Sequence, residues 1–488
     1  MHVHKQLFID GGWVEPTGSG TIEVISPATE EPVGRVPDGT TADIDRAVAA
    51  ARKAFDTGPW PTMAPTERAE VLAEVSADLQ GRSESLAALI SSENGSPVSW
   101  SIMGQVFAAT MVADYYVGLA GDYPFEEPRA GTFGDALVRR VPVGVAGAIV
   151  PWNVPLFVTM LKLAPAMVAG CTVVLKPAPE TPLDAYVLAE CLETAGLPPG
   201  VVNIVAADRE VGEHLVTHPD VDKIAFTGST AAGRRIGALC GERLRRCTLE
   251  LGGKSAAIIL DDADIGDAVT GLMPASFMNN GQACVAQTRI LASRERYAEV
   301  VERLSEAVGA LQVGDPLDPG TEIGPLVAER QRDRVEGYLA SGREQGARVT
   351  VGGGRPVGQD TGWFVEPTVF ADVDNAMTIA QEEIFGPVVA VIPYDDVDQA
   401  VAIANDSAYG LSGSVYGADV DRALGVARRI RTGTLTINGF MLEFGCPFGG
   451  FKTSGVGREL GPEGLAAYLE LQSVSLPAGT SAAGPVGA

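Results

Sequence analysis

VRRVPVGVAGAIVPWNVP, residues 138–155, alternates apolar and polar positions at first and then becomes continuously apolar. The alternation suits an exposed hairpin strand, and the unbroken apolar run suits a strand buried on both faces. Such runs recur as far as residue 250. They predict strands at 145–150, 172–176, 201–205 and 223–227, separated by helices at 156–169, 185–195, 211–217 and 231–239. Short buried strands that alternate with helices mean a parallel sheet covered on both faces, the doubly wound α/β arrangement. Such sheets bind ligands at the carboxyl ends of their strands. Three of those ends carry distinctive residues: PWN at 151–153, KPAP at 176–179 and TGSTAAG at 227–233.

Upstream, a strand-like segment at 7–14 folds around Asp-Gly-Gly, and helical patterning at 44–55, 66–79, 83–93 and 103–119 makes an all-helical prelude. Thr41 and Asp43 are good capping types for the first of these helices. Downstream, 256–454 mixes strands at 257–260, 289–292, 388–394, 413–415 and 434–437 with helices at 265–279, 297–310 and 328–345, which reads as a second α/β domain. Glycine-rich turns are expected at 352–354, 360–362 and 448–450. The tail 477–488 lacks apolar bulk and is expected to be disordered.

A chain of 488 residues with 46% hydrophobic content has ample material for two or three cores. Its net charge of −26 makes nucleic acid and anionic membrane surfaces poor partners. The six cysteines, at 171, 191, 240, 247, 284 and 446, form no CxxC pair and read as reduced thiols, which points to the cytoplasm. The N-terminal segment has no apolar signal region, and no uncharged apolar run reaches the length of a membrane span. With four histidines in all, a Ser-His-Asp mechanism and a histidine-rich metal site are both disfavoured, and no metal is expected.

Chemistry concentrates in MNNGQACVAQTR, 278–289, where Asn-Asn-Gly frees the backbone from regular pairing just before Cys284. A thiolate is the most nucleophilic side chain near neutral pH, provided that its pKa is lowered or a base stands nearby. Glu250, in TLELGGKS at 248–255, is a candidate base before a Gly-Gly turn. Taken alone, Cys284 also fits an inert core cysteine, since cysteine is among the most buried residue types. The TGSTAAG turn would present backbone N–H groups and Ser229 to a pyrophosphate, or serve as an ordinary strand-to-helix turn. Lys176 fits a surface lysine as well as a donor to a cofactor ribose.

GQACVAQTR around Cys284, LELGGK around Glu250, PWNVP around Asn153, FTGST at 226–230, EEIFGPV at 382–388 and PFGGFKTSGVGRELG at 447–461 together resemble the aldehyde dehydrogenase superfamily, of the hydrolytic, non-acylating type. The likeness runs in the family's order from the first strand to about residue 474. It implies a Rossmann-like cofactor domain (1–119 and 142–252), a catalytic domain (253–455) and a small β oligomerisation element (120–141 and 456–476) that would join a homodimer or homotetramer. It also implies oxidation of an aldehyde to the acid with NAD(P). Cys284 would form a thiohemiacetal and then a thioester, with its oxyanion held by the Asn153 side chain and the Cys284 backbone N–H, and Glu250 would activate the hydrolytic water. Lys162 resembles a family lysine that supports the oxyanion site. Coenzyme A-acylating relatives lack the glutamate, so Glu250 favours a free acid.

For the cofactor, the resemblance implies Lys176 at the adenosine ribose, Gly228, Ser229 and Gly233 at the pyrophosphate, and Glu383 with Phe385 at the nicotinamide ribose. Ile149, Pro151, Trp152 and Leu251 would line the cleft. Many NAD-preferring members carry a glutamate where this chain has Pro179, so NADP stays possible beside the expected NAD. Val154, Phe157, Leu161, Ala283, Val285 and Phe440 would line the aldehyde tunnel. All are apolar, and Leu161 replaces a bulkier tryptophan. The expected substrate is an aliphatic, terpenoid or aromatic aldehyde, because a carboxylate-bearing one would want an arginine there. The alternatives, a coenzyme A-acylating enzyme and a non-catalytic binding member, conflict with the retained Glu250, Cys284 and cofactor turn.

Overall fold

The computed structural model describes residues 1–477 and 480; the rest of the expected disordered tail lies outside the described residues. Five parallel strands, β1 (Val145–Ile149), β2 (Thr172–Lys176), β3 (Val202–Ile204), β4 (Lys223–Thr227) and β5 (Arg246–Glu250), lie in the order β5-β4-β1-β2-β3. Side chains alternate along each strand. Ala146, Ala148, Val173 and Leu175 therefore enter one core while Val145, Ile149 and Val174 enter another on the opposite face. The four connecting helices are α1 (Pro155–Ala169), α2 (Leu183–Thr194), α3 (Arg209–Thr217) and α4 (Thr230–Glu242). Of α1, only Phe157 is not buried, as expected of a helix that is apolar all round. The chain winds one way through β2 and β3 and the other way through β4 and β5. The topological switch, where such sheets bind ligands, therefore lies between β1 and β4.

The sheet is wider than expected. Leu7–Ile9 and Gly12–Val14 extend it antiparallel beyond β3, and Gly455–Val456 pairs antiparallel with β5. A second sheet of seven strands runs Arg348–Val351, Thr368–Ala371, Val388–Tyr394, Gln287–Ser293, Ser255–Ile259, Gly413–Tyr416, Thr436–Ile437. All its pairs are parallel except that of the first strand. A small sheet joins Glu126–Arg129, Ala136–Pro142 and Leu469–Ser475.

The prelude is not all helical. Thr21–Ile25 and Pro32–Pro37 form a hairpin, with His2–Val3 added alongside. The expected helix 103–119 belongs to a longer one, Val98–Asp122, whose stretch Ser101–Phe107 is π-helical. By length and composition this helix could cross a membrane, but it packs against Pro65–Gly81 and α1.

Candidate active site

The segment after helix Ile265–Phe277 passes through Asn279 and Asn280 in left-handed conformation, which asparagine tolerates better than most residues. Their side chains pin the loop from both sides. The Asn280 amide donates to the carbonyls of Gly95 and Pro325, both at 2.8 Å, and its oxygen accepts from the Gly324 N–H at 2.7 Å. Beyond this anchor Cys284 sits on the wall of a cavity of about 800 Å³. Burial pushes its thiol up to about 12, and the Glu383 and Glu250 carboxylates add to the rise. The thiolate must therefore form at the moment of attack rather than be stored.

Glu250 closes β5 on the same wall, 2% exposed, and neither carboxylate oxygen has a hydrogen-bond partner among the described residues. Burial raises its pKa well above the ordinary carboxylate range and the Glu459 charge raises it further, while Lys162 and Arg458 pull it back. Gly449, at φ +151°, makes room for it: a Cβ there would stand 2.6 Å from Glu250 Oε1.

Glu459 is the functional residue that sequence reasoning passed over, although it lies in the quoted RELG. The loop folds back through paired backbone bonds between Phe448 and Glu459, bringing a buried carboxylate beside Glu250. Lys162 points there too: its ammonium donates to Glu459 Oε1 at 2.5 Å and to Thr227 Oγ1 at 2.6 Å. Two of its three N–H groups are held by Glu459 and Thr227, and its charge lowers the Glu250 carboxyl.

Asn153 follows β1 in the turn before Pro155, the first residue of α1. Its backbone carbonyl accepts from three side-chain amides: Asn94 at 3.1 Å, Gln105 at 3.2 Å and Asn279 at 2.9 Å. Its own Nδ2 donates to the Gln282 carbonyl at 2.8 Å, which orients the amide and leaves a second N–H uncommitted. No sequence signal could find Asn94 or Gln105, because neither lies near Asn153 along the chain.

The carboxyl ends of β1 and β4 supply Pro151, Trp152, Gly228 and Ser229 to the same cavity, joined by Leu251, Glu383 and Phe385. Trp152 packs edge-on against Phe385, with ring centroids 5.3 Å apart. Ser229 caps α4 by accepting from the Ala232 N–H at 3.3 Å. Glu383 Oε1 accepts from the Gly253 N–H at 2.9 Å, and a Cβ at Gly252 would meet its other oxygen at 2.5 Å. Apolar ring, helix N-terminus and side-chain-free backbone make a cradle that fits a dinucleotide.

Four expected cofactor residues are not on this wall. Ile149 lies in the core of one face of the sheet, and Pro179 is half-buried. Gly233 packs closely on Leu251, since a Cβ there would stand 2.4 Å from it. Lys176 is buried, donating to the carbonyls of Pro177 at 2.9 Å and Ala207 at 2.6 Å, and burial brings it down to about 8.

All six expected tunnel residues, Val154, Phe157, Leu161, Ala283, Val285 and Phe440, line the cavity. Trp100, Gly104 and Ala108 join them from Val98–Asp122, with Leu442 and Phe444 from the loop after Phe440. Three arginines also line the cavity: Arg330 pairs with Glu180, Arg334 donates to the Glu383 carbonyl at 2.6 Å, and Arg209 is exposed at the start of α3.

The sequence model of the aldehyde dehydrogenase family matches residues 13–474. Geranial dehydrogenase of Castellaniella defragrans is 50% identical over 476 residues, 97% of this chain and 99% of the relative. The fold is similar to the crystal structure of Mycobacterium tuberculosis aldehyde dehydrogenase complexed with NAD+, with a TM-score of 0.97 and 52% identity over 98% of this chain and 99% of that one. It is also similar to a mutant of aldehyde dehydrogenase C from Pseudomonas syringae complexed with NAD+ and octanal, with a TM-score of 0.94 and 42% identity over 96% of each chain.

Proposed function

Because the chain belongs to the aldehyde dehydrogenase family, and two solved relatives carry NAD+, we propose that it oxidises an apolar aldehyde to the free acid with NAD+. The observation that carries this reading is the meeting of Cys284, Glu250 and Asn153 on one wall beside a dinucleotide cradle.

In this reading the Cys284 thiol gives its proton to the Glu250 carboxylate, which passes it on to solvent, as the sulfur attacks the aldehyde carbon and the carbonyl pair moves onto oxygen; the free Asn153 amide hydrogen and the Cys284 backbone N–H donate to that oxyanion. An amide suits the task because it donates without titrating. The nicotinamide, when bound, supplies the hydride acceptor, and the acyl group stays on Cys284 as a thioester. Glu250 then takes a proton from the attacking water. Its buried, unpartnered carboxyl has the raised basicity that this step needs, and Glu459 Oε2, also without a partner among the described residues, is an acceptor behind it.

We favour NAD+ over NADP+ because Glu180, Asp208 and Asp38 all act on the Lys176 ammonium, an acidic surround that disfavours a further phosphate. Arg209, exposed on the cavity wall, is one counterweight. The apolar tunnel, the likeness to a geranial dehydrogenase and the likeness to an octanal complex support a medium-length or terpenoid aldehyde. Residues 1–119 and 142–252 then bind the cofactor, 253–455 carry the nucleophile, and 120–141 with 456–476 join subunits. The six cysteines, all free, fit a cytoplasmic setting.

Steady-state kinetics over octanal, geranial, benzaldehyde and succinic semialdehyde, each with NAD+ and NADP+, tests this. The apolar aldehydes should exceed succinic semialdehyde by at least about tenfold in kcat/KM. The reverse order, or faster turnover with NADP+, would remove the corresponding half of the reading.

A further inference from the structure

Asn153 is held by its own carbonyl, and the three amides that donate to it come from three different elements. Asn94 ends helix Ser83–Asn94, Asn279 lies in the nucleophile loop, and Gln105 belongs to Val98–Asp122. Two of them are themselves pinned. The Asn94 oxygen accepts from the Ser96 N–H at 2.9 Å, and the Asn279 amide donates also to the Gln282 carbonyl at 3.2 Å while its oxygen accepts from the Ser96 hydroxyl. Gln105 is different. It is fully buried, its donation to Asn153 at 3.2 Å is the longest of the three, and its oxygen has no hydrogen-bond partner among the described residues. With the amide turned over, that oxygen would face the Asn153 carbonyl and repel it, so the N–H side must face Asn153. Gln105 also lies in the π-helical stretch Ser101–Phe107, after which the Ala108 N–H reaches back to the Met103 carbonyl. Single π turns inside α-helices are rare and occur frequently at functional sites. Trp100, Gly104 and Ala108, on this stretch and its two flanks, line the cavity, while Gln105, next to Gly104, reaches Asn153. One helix thus touches both the tunnel and the oxyanion residue.

We propose that Gln105 is a positioning residue through which the seated tail of the aldehyde aligns Asn153, so that a longer apolar tail speeds the first chemical step as well as tightening binding. The inference rests on the reading of Asn153 as an oxyanion donor and of the cavity as an aldehyde tunnel. An apolar tail packed against Trp100, Gly104 and Ala108 fixes the π turn, and with it the Gln105 amide. The bond to the Asn153 carbonyl then shortens, and the turn that carries Asn153 settles with its free N–H on the oxyanion. Binding energy from a remote part of the substrate, used in this way, raises the rate of the chemical step rather than affinity alone. An aldehyde too short to reach Trp100 and Gly104 gains nothing from Gln105.

Stopped-flow measurement of NADH formed in the first turnover, at saturating NAD+ and over a range of octanal or acetaldehyde concentrations, tests this on the full chain. It separates the rate of that turnover from the aldehyde concentration at which the rate saturates. In the wild type, octanal should exceed acetaldehyde in rate. Gln105→Met keeps the length of the side chain but cannot donate. It should slow octanal by about tenfold with its saturating concentration kept, and change acetaldehyde by less than about twofold. Asn153→Ala should slow octanal by about 10²–10³-fold. Adding Gln105→Met to that variant should cost nothing further, because Gln105 acts through Asn153. Equal slowing of both aldehydes by Gln105→Met, an unchanged octanal rate, or full additivity in the double variant would overturn the proposal while leaving the oxyanion reading intact. A full rate in Asn153→Ala would overturn that reading, and this proposal with it.

Discussion

At the residue scale, Glu250 is set by its neighbours more than by its own chemistry. Burial and the Glu459 charge raise it, and Lys162 lowers it. A base must be ionised to work, so kcat should rise with pH through this raised value and be lost as pH falls through it. Glu459→Gln removes a raising charge and should move that acidic limb to lower pH, whereas Lys162→Met should move it higher. Profiles of kcat against pH for the two variants check both signs, and limbs that stay put would contradict the coupling. Glu250→Gln should lower kcat by about 10²–10⁴-fold. That Cys284, Glu250 and Asn153 share a wall was legible because a short local motif surrounds each of them. Glu459 was not, since its meaning depends on Lys162 and Thr227, which lie far from it in the sequence and reach it only through the fold.

At the scale of elements, Val98–Asp122 carries the substrate prediction. Trp100 lies over Gly104, where a Cβ would stand 2.6 Å from the indole. Gly104→Val should therefore push that ring into the tunnel and raise KM for octanal by about tenfold or more, with little change for acetaldehyde. Equal effects on both aldehydes would point instead to general damage. A second element pair governs stability. Glu93, near the end of helix Ser83–Asn94, accepts from the Leu183 N–H at the start of α2 at 3.0 Å, close to buried Asp184. Burial raises both carboxyls above their ordinary range, and Asp184 raises Glu93 further. Carboxyls that are easier to protonate folded than unfolded contribute stability that is full below the unfolded carboxylate range and is lost as pH rises through the raised values. Asp184→Asn should thus flatten the fall in Tm between about pH 4 and about pH 7, and an unchanged slope would exclude the pair as its source. The helices and strands that were read from the sequence lie within a few residues of their observed bounds, but the short helices Val397–Asn405 and Val420–Ala427 and the buried strand Thr368–Ala371 were passed over. The hairpin Thr21–Ile25 with Pro32–Pro37 was not legible, because both strands are short and partly exposed and the second is interrupted by proline and glycine. Edge strand Arg348–Val351, four residues long, exposed at its start and nowhere fully buried, carries no buried apolar run to mark it.

At the scale of the whole molecule, the two parallel sheets follow from buried apolar runs, but their strand order and the crevice between the nucleophile loop and the cofactor turns arise only on folding. The small sheet leaves Leu471 72% exposed on Leu469–Ser475, an apolar surface suited to a second subunit. Leu471→Glu should shift the sedimentation coefficient towards that of a monomer, and an unchanged coefficient would remove this strand from the interface. All of this frames one claim, that Cys284 carries the acyl group. The most direct test is peptide mass spectrometry of Glu250→Gln quenched during turnover of octanal with NAD+. The expected result is an octanoyl adduct on the Cys284 peptide, labile to hydroxylamine and absent without NAD+. No adduct there, with aldehyde oxidation persisting in Cys284→Ala, would contradict the account.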